Sequence, residues 1–494
     1  MDPRLVLRPA PPPLYSWTTP ASDLAPGTCL LDHPPLCVIP LTGAEDPDGK
    51  RCWSCLDVVH EPVVCGRCRE EWYCSVDCKH AAWETYHSVI CRSLPALHYN
   101  ITASRFTLAQ RHTLLLLLKL IASEFRTPEA THLVKQYTSK SIAEIRAHPA
   151  QGPLETFLHL LPRPIGDPER QTIALLLAKC RFVSQAGLDA TELEFLVARF
   201  QGNNHVLSDE RLRPIGHAIL PEISRHVNHS CAPSSVIAPT WNPATKTLTI
   251  GVHLIRPLTS EEPITIPYLD PILPLADRQT FLQERYGFTC TCTICTFQAS
   301  LPPAIREDAS TPTPESLTRM FTTYVRAHMD RCRSDVYAPE SDPQRTRWLP
   351  SRVRMESCPR DELACLNGRV VGELTSMFGE ACEAREWTLA RETGEHVSVI
   401  YGIVYGWRHP LVGLHLLALA RVRINQFTLA SSSGRTRDPT PLEDATIYVR
   451  FARECLETST SMRGLPCVGM GVEEEVREIE VLCEDMWGDL GRRR

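Results

Sequence analysis

Eleven of the chain's 21 cysteines fall into two groups whose spacing suits metal ligation better than disulfide pairing. The first runs Cys52-x2-Cys55-x9-Cys65-x2-Cys68-x5-Cys74-x3-Cys78 and closes with x8-His87-x3-Cys91, giving eight ligand-type side chains in one short segment. Tetrahedral zinc takes four thiolate or imidazole ligands, so eight suit two ions. So small a segment cannot bury enough apolar surface to fold alone, and metal binding would supply its folding energy. The second group is Cys290-x-Cys292-x2-Cys295, which surrounds a metal on three sides; Cys231, in an ordered turn before Pro233, is the fourth candidate. The remaining ten cysteines are scattered, as buried small hydrophobes usually are.

A disulfide framework fits short secreted chains, whereas this one has 494 residues and an N-terminus without the apolar core and cleavage site of a secretory signal. Clustered cysteines in such a chain read as zinc ligands in a reducing compartment. The length predicts two or three domains. A net charge of -6 gives no support to non-specific nucleic-acid binding, although that mild acidity suits a basic substrate tail. The most apolar run, Leu114 to Leu118, is far shorter than the roughly 20 residues of a membrane span.

Along the chain, Leu24 to Gly27 reads as a tight turn, followed by short strands at Thr28–Leu31 and Leu36–Ile39. Residues 92–200 read as helical, with apolar spacing at Leu114–Ile121, Ile142–Ile145 and Ile173–Leu177, broken at Pro128, Pro153 and Pro162 to Pro168. Near residue 200 the pattern turns strand-rich, with Thr247–Ile250 and Ile264–Ile266 as half-buried strands. Proline-rich stretches mark 298–352 as linker, and 353–494 is helical again, with an apolar stripe at Leu411, Leu414, Ala418 and Val422.

The eight-ligand spacing of residues 52–91, together with Tyr73-Cys74-Ser75 and Trp83, resembles the MYND zinc finger, with Lys79 standing where that family often has glutamine. The resemblance implies interleaved ligands: Cys52, Cys55, Cys74 and Cys78 for one zinc, and Cys65, Cys68, His87 and Cys91 for the other. Three further blocks follow in order: Asn-His-Ser-Cys-Ala-Pro from Asn228, Arg-Pro-Leu-x3-Glu-x-Ile-Thr-Ile-x-Tyr ending at Tyr268, and Tyr286-Gly-Phe-x-Cys-x-Cys-x2-Cys295. Together they resemble the SET-domain lysine methyltransferases, and with the finger the SET-and-MYND subfamily, over about residues 24–297. The resemblance implies an α+β chain. Residues 1–51 and 201–285 would form a SET-domain β-fold, interrupted by the finger (52–91) and a helical insert (92–200). A post-SET zinc segment (286–297), a linker (298–352) and an α-helical C-terminal lobe (353–494) would complete it.

The activity so implied is S-adenosylmethionine-dependent methylation of lysines on histone or non-histone proteins. A lysine amine must first lose its proton, against an ordinary pKa of about 10.4. An apolar channel disfavours the charged form, and aromatic walls exclude water while their faces attract the sulfonium. By resemblance, Tyr286 and Tyr268 line that channel as catalytic residues. Asn228 and His229 hold the cofactor, Tyr268 borders it, and Phe288 stacks near its adenine. Asn203 matches a further cofactor-binding asparagine if His205 stands where the family has phenylalanine; Asn204 is the alternative. The implied ligands are S-adenosylmethionine and three zinc ions, the third held by Cys231, Cys290, Cys292 and Cys295. The implied partners are a lysine-containing protein substrate and proline-rich peptides on the finger, with no nucleic acid and no membrane. The chain would be a monomer of cytoplasm and nucleus. The competing reading is a weak or inactive SET/MYND adaptor.

Two departures stand out. The family opens with a Gly-x-Gly turn that brings backbone close to the methionine part of the cofactor; the matching register here is Pro11-Pro12-Pro13-Leu14-Tyr15-Ser16. Proline offers neither positive φ nor an N–H. A different start or splice choice, or a degenerate cofactor site, accounts for the missing glycines. Ser234 stands where the family favours asparagine, and a serine there is expected to cap the turn.

Overall fold

The computed structural model describes residues 6–9, 15–18, 24–41, 51–103, 106–163, 168–242, 247–259, 261–302, 313–333, 349–350, 353–432, 438–460 and 471–492. Its strands are β1 (Val6–Pro9), β2 (Tyr15–Thr18), β3 (Cys29–His33), β4 (Cys37–Pro40), β5 (Val63–Val64), β6 (Trp72–Tyr73), β7 (Asn204–Ser208), β8 (Pro214–Ile219), β9 (Asn228–His229), β10 (Ser235–Asn242), β11 (Thr247–Leu254) and β12 (Thr265–Ile266). Two three-stranded antiparallel sheets, β10-β11-β3 and β4-β8-β7, share one apolar cluster. Leu30, Leu31, Ile250 and Val252 enter it from the first sheet, Val38 and Ala218 from the second. β1 and β2 form a hairpin with Pro9 opposite Tyr15; Pro11 to Pro13 of the expected cofactor turn lie outside the described residues.

β9 and β12 are parallel, with Asn228 opposite Thr265 and His229 opposite Ile266. Parallel neighbours need a crossover, and the β10–β11 hairpin supplies it. Ser234 locks the pair. Its N–H donates to Thr265 Oγ1 at 3.1 Å, and its hydroxyl oxygen accepts from the Thr265 N–H at 2.9 Å. The serine therefore ties the turn to β12 across the crossover.

The Leu114–Leu118 run lies in helix Leu108–Glu124, whose N-terminus carries a capping box of Thr107 and Gln110. All five leucines are buried, and Lys119 joins this helix to its neighbours by donating to Val38 O and Trp53 O, each at 2.8 Å. Pro128 and Pro153 do not so much break helices as begin them, each in a first turn, where a missing N–H costs nothing.

The C-terminal half is built from helices Gly368–Glu383, Trp387–Val404, Pro410–Ser432, Thr440–Thr460 and Val472–Arg492. Two expectations are corrected there. Within the supposed linker 298–352, helix Pro314–Phe321 continues through a wider turn to Cys332 and buries Leu317, Met320, Phe321, Val325 and Met329 in the core of this half. Thr313 caps its N-terminus, so the flanking prolines bound an ordered helix rather than a loop. Residues 303–312, 334–348 and 351–352 of the same stretch lie outside the described residues. The stripe at Leu411, Leu414, Ala418 and Val422 also understates the burial of its helix. Val412, Leu416, Leu417, Leu419 and Ala420 are more deeply buried than the first three, because neighbouring helices cover this one on several sides. Asp444, fully buried, accepts from Arg326, Arg333 and Arg423 at 2.9, 2.7 and 2.6 Å, joining three helices of this half.

Candidate functional site

The finger is organised from its ligands outward. Cys52, Cys55, Cys74 and Cys78 form one group and Cys65, Cys68, His87 and Cys91 a second; within each, the ligating atoms lie within 4.8 Å of one another. β5 and β6 form a short antiparallel pair inside the segment, Val63 opposite Tyr73 and Val64 opposite Trp72, just before Cys65 and Cys74 of the two interleaved sets. Glu71 is a functional residue that spacing alone misses. One of its carboxylate oxygens lies 2.8 Å from His87 Nδ1 and accepts from the hydroxyls of Tyr73 and Tyr86 at 2.6 and 2.9 Å. That carboxylate orients the imidazole so that Nε2 faces Cys68 Sγ, the partner a ligating histidine ordinarily has.

The third group is Cys231, Cys290, Cys292 and Cys295, also within 4.8 Å, with Cys231 and Cys295 Sγ 3.5 Å apart. Helix Leu275–Tyr286 ends at Gly287, whose φ of 76° turns the chain back toward Cys231. The Gln279 side chain clamps that return by bonding both the N–H and the carbonyl of Cys290 at 2.9 Å. All three donor sets, soft, four-membered and closed, fit tetrahedral zinc of the structural kind.

Against the third group stands an aromatic corner. The Tyr268 and Tyr286 rings are 4.9 Å apart, and His229 lies 5.3 Å from Tyr268 and 6.1 Å from Phe288, centroid to centroid. The Tyr268 N–H donates to His229 Nδ1 at 3.0 Å, and His229 Nε2 is 3.3 Å from Cys231 Sγ. The Tyr268 hydroxyl donates to Val227 O at 2.8 Å; that of Tyr286 makes no hydrogen bond among the described residues. Burial pushes both phenols above their ordinary value.

These residues line a cavity of about 1140 Å³ together with Asn203, Asn204, Asn228 and Phe288. The two neighbouring asparagines differ in what they bond. Asn203 turns its amide to Leu161 O and Arg199 O, at 3.1 and 2.8 Å, and closes the end of helix Ala190–Gly202. Asn204 faces His217, with Oδ1 3.2 Å from Nδ1. Part of the cavity's wall comes from the C-terminal half, through Val353, Met355, Ile403 and His409, and nothing in local sequence signals those positions.

Comparison with known proteins agrees with this picture. Residues 52–91 match the family model of the MYND finger. The chain is 25% identical to the Xenopus laevis N-lysine methyltransferase SMYD2-B over 283 residues, 56% of this chain and 58% of that protein. It is 26% identical to zebrafish (Danio rerio) SMYD2-A over 282 residues, 56% and 58% of the two chains. With human N-lysine methyltransferase SMYD2 it shares 25% identity over 376 residues, 75% of this chain and 78% of the relative. The frog and fish matches thus span little more than half the length of those relatives.

Proposed function

We propose that the chain is an S-adenosylmethionine-dependent protein-lysine N-methyltransferase built on a SET-domain fold, with three structural zincs. The observation that carries this reading is the pairing of Tyr268 and Tyr286 at 4.9 Å on the wall of a cavity that also holds Asn203, Asn228, His229 and Phe288. S-adenosylmethionine supplies an electrophilic methyl group, and the cavity is large enough for it, lined by polar asparagines as well as aromatic faces.

The residues divide the work. Asn228, His229 and one of Asn203 and Asn204 hold the cofactor, with Phe288 beside the adenine. Tyr268 and Tyr286 wall the lysine channel and exclude water. Their raised pKa values keep both phenols protonated near neutral pH, so neither acts as a phenolate base. Loss of the lysine proton is driven instead by the channel, which disfavours the ammonium form. The Tyr268 proton is held by Val227 O, which leaves the phenol oxygen as an acceptor. The Tyr286 hydroxyl is open to the incoming amine and methyl group. In-line alignment of nitrogen and methyl carbon is the remaining requirement, and packed rings provide it.

The competing adaptor reading draws on the finger, where Val64, Val76 and Trp83 are exposed apolar side chains of the kind that contact proline-rich peptides. Titration calorimetry with S-adenosylmethionine and transfer of labelled methyl to a protein array separate the two. Heat and transfer support the enzyme; no cofactor heat at high micromolar concentration leaves the adaptor.

A further inference from the structure

Five arginines line the cavity, Arg146, Arg163, Arg256, Arg285 and Arg354, against two glutamates, Glu262 and Glu356. Both glutamates are engaged by cavity arginines: Arg256 pairs with Glu262, and Arg354 Nε lies 3.6 Å from Glu356 Oε2. Arg285 is the last residue before Tyr286 in its helix and belongs to no ion pair among the described residues. Its charge is felt at the Tyr286 hydroxyl, where it partly offsets the upward effect of burial. A substrate lysine passing beside Tyr286 therefore meets a cation, and basic residues on either side of that lysine would add like charge to the same wall.

The chain as a whole is acidic, with a net charge of -6, which by itself favours a basic partner. Screening decides between the two influences. At physiological salt, charges beyond about 8 Å are largely damped, so groups on the cavity wall outweigh the distant surface. We propose that Arg285 selects protein substrates whose target lysine is flanked by aspartate or glutamate, an acidic segment and not a basic tail. The assignment rests on the methyltransferase reading above. Arg285 is half-buried, and a guanidinium in that setting forms charge-assisted hydrogen bonds with a carboxylate that a flexible, fully hydrated lysine does not match.

Fluorescence anisotropy with two labelled peptides of equal length tests the proposal on the full chain, one peptide carrying its lysine between glutamates and the other between arginines. The glutamate peptide should bind about threefold tighter or better, with the margin shrinking as salt rises. Arg285→Gln should level the two affinities and Arg285→Glu should invert them. Thermal melts establish that each variant is folded, and Arg285→Gln suffices if the charge reversal is not. Equal binding by the parent chain, or a preference that survives Arg285→Gln, overturns the proposal. So does a variant that loses affinity only for S-adenosylmethionine, which would make Arg285 a cofactor contact. Binding needs no methyl transfer. A chain that ranks the peptides as stated yet transfers no methyl refutes the enzyme reading alone, and one that methylates the arginine-flanked peptide equally well refutes this inference alone.

Discussion

The backbone N–H of Tyr268 donates to Nδ1 of His229 at 3.0 Å, and that bond fixes the tautomer of the imidazole. A backbone amide can only donate, so Nδ1 is the unprotonated nitrogen and the neutral ring carries its proton on Nε2, 3.3 Å from Cys231 Sγ. The third cysteine group, the histidine and Tyr268 are thereby one connected unit. Outer-sphere hydrogen bonds of this kind stabilise thiolates and orient ligands.

His229→Ala breaks that unit at its centre. Metal retention at the Cys231 group should fall by about tenfold or more, while both finger sites keep theirs. Leaving the Tyr268 N–H without its partner should cost about 1–3 kcal/mol of stability. Chelator competition followed by metal release, together with a thermal melt, measures both; zinc release at the parental rate would break the proposed coupling.

Metal analysis of the intact chain should give three zincs, and Cys231→Ser should give two, because the finger groups share no ligand with the third. Without its metal, the segment from Gly287 to Ser300 keeps the Gln279 clamp, the Arg278 contacts, the packing of Ile294 and Phe297 on the C-terminal core and its own short helix, so the loosening falls on the stretch before that helix. Limited proteolysis should then cut near Thr289 in the variant and not in the parent. Three zincs retained by Cys231→Ser would remove the third site.

The two tyrosines should separate stability from rate. Tyr268→Phe removes the donor to Val227 O and should lower stability by about 1 kcal/mol. Tyr286→Phe removes a hydroxyl with no partner among the described residues, so its melt should be nearly parental. Its methyl-transfer rate should nonetheless fall at least tenfold, on the order of losing one positioned hydrogen bond at a reacting centre, with cofactor affinity kept. Parental transfer by Tyr286→Phe would exclude that hydroxyl from the reaction.

What the sequence made legible follows the range of the interactions. Metal-ligand spacing is a local property of the chain, so it marked out the eight ligand candidates of residues 52–91 and the three of 290–295. The interleaved pairing of the eight came from the resemblance to the MYND finger, Cys231 was a candidate from its ordered turn, and the structure assembles the same three groups. The aromatic corner was legible only through motif order, since Tyr268 and Tyr286 are ordinary tyrosines when taken singly. Glu71 left no signal because its value lies in reaching His87 across the finger's fold. Met355, Ile403 and His409 were invisible for the same reason, as they reach the cavity from a different half of the chain. The helix from Pro314 to Cys332 was hidden by prolines that flank it, although Leu317, Met320, Phe321 and Val325 keep helical spacing.

His205 predicts a pH dependence. Burial lowers its pKa from 6.5 to about 4, and its Nε2 lies 2.8 Å from Ser224 Oγ. A histidine held neutral in the folded chain binds its proton more readily when unfolded. Its contribution to stability is therefore complete above pH 6.5 and is lost as the pH falls toward 4. His205→Phe abolishes this titration, so its melting temperature should decline less steeply than the parent's over that window. Acid release of zinc affects both chains alike, which makes the difference between the two curves the informative quantity. Parallel curves would mean that His205 is already solvated in the folded state.

The last prediction concerns the junction between the two halves of the chain. The Tyr405 hydroxyl donates to Asp270 Oδ1 at 2.7 Å, and the same oxygen accepts from the Ile272 N–H at 3.0 Å. Asp270 thus holds the loop that follows Tyr268 in its own turn and joins it to helix Trp387–Val404, which ends just before Tyr405. Ile403, at the end of that helix, lines the cavity beside Met355. Tyr405→Phe keeps the ring, which stacks near Tyr401 and His409, and removes only the bond to the loop. The expected loss of stability is small, about 1 kcal/mol, because the Asp270–Ile272 turn survives. The effect on the reaction should fall on the peptide, with KM rising and kcat and cofactor affinity unchanged, since the loosened wall comes from the C-terminal half and carries none of Asn203, Asn228, His229 and Phe288. Asp270→Asn, which can still accept from both donors, should behave nearly as the parent. A drop in kcat without a change in KM would instead place this contact in the alignment of Tyr268.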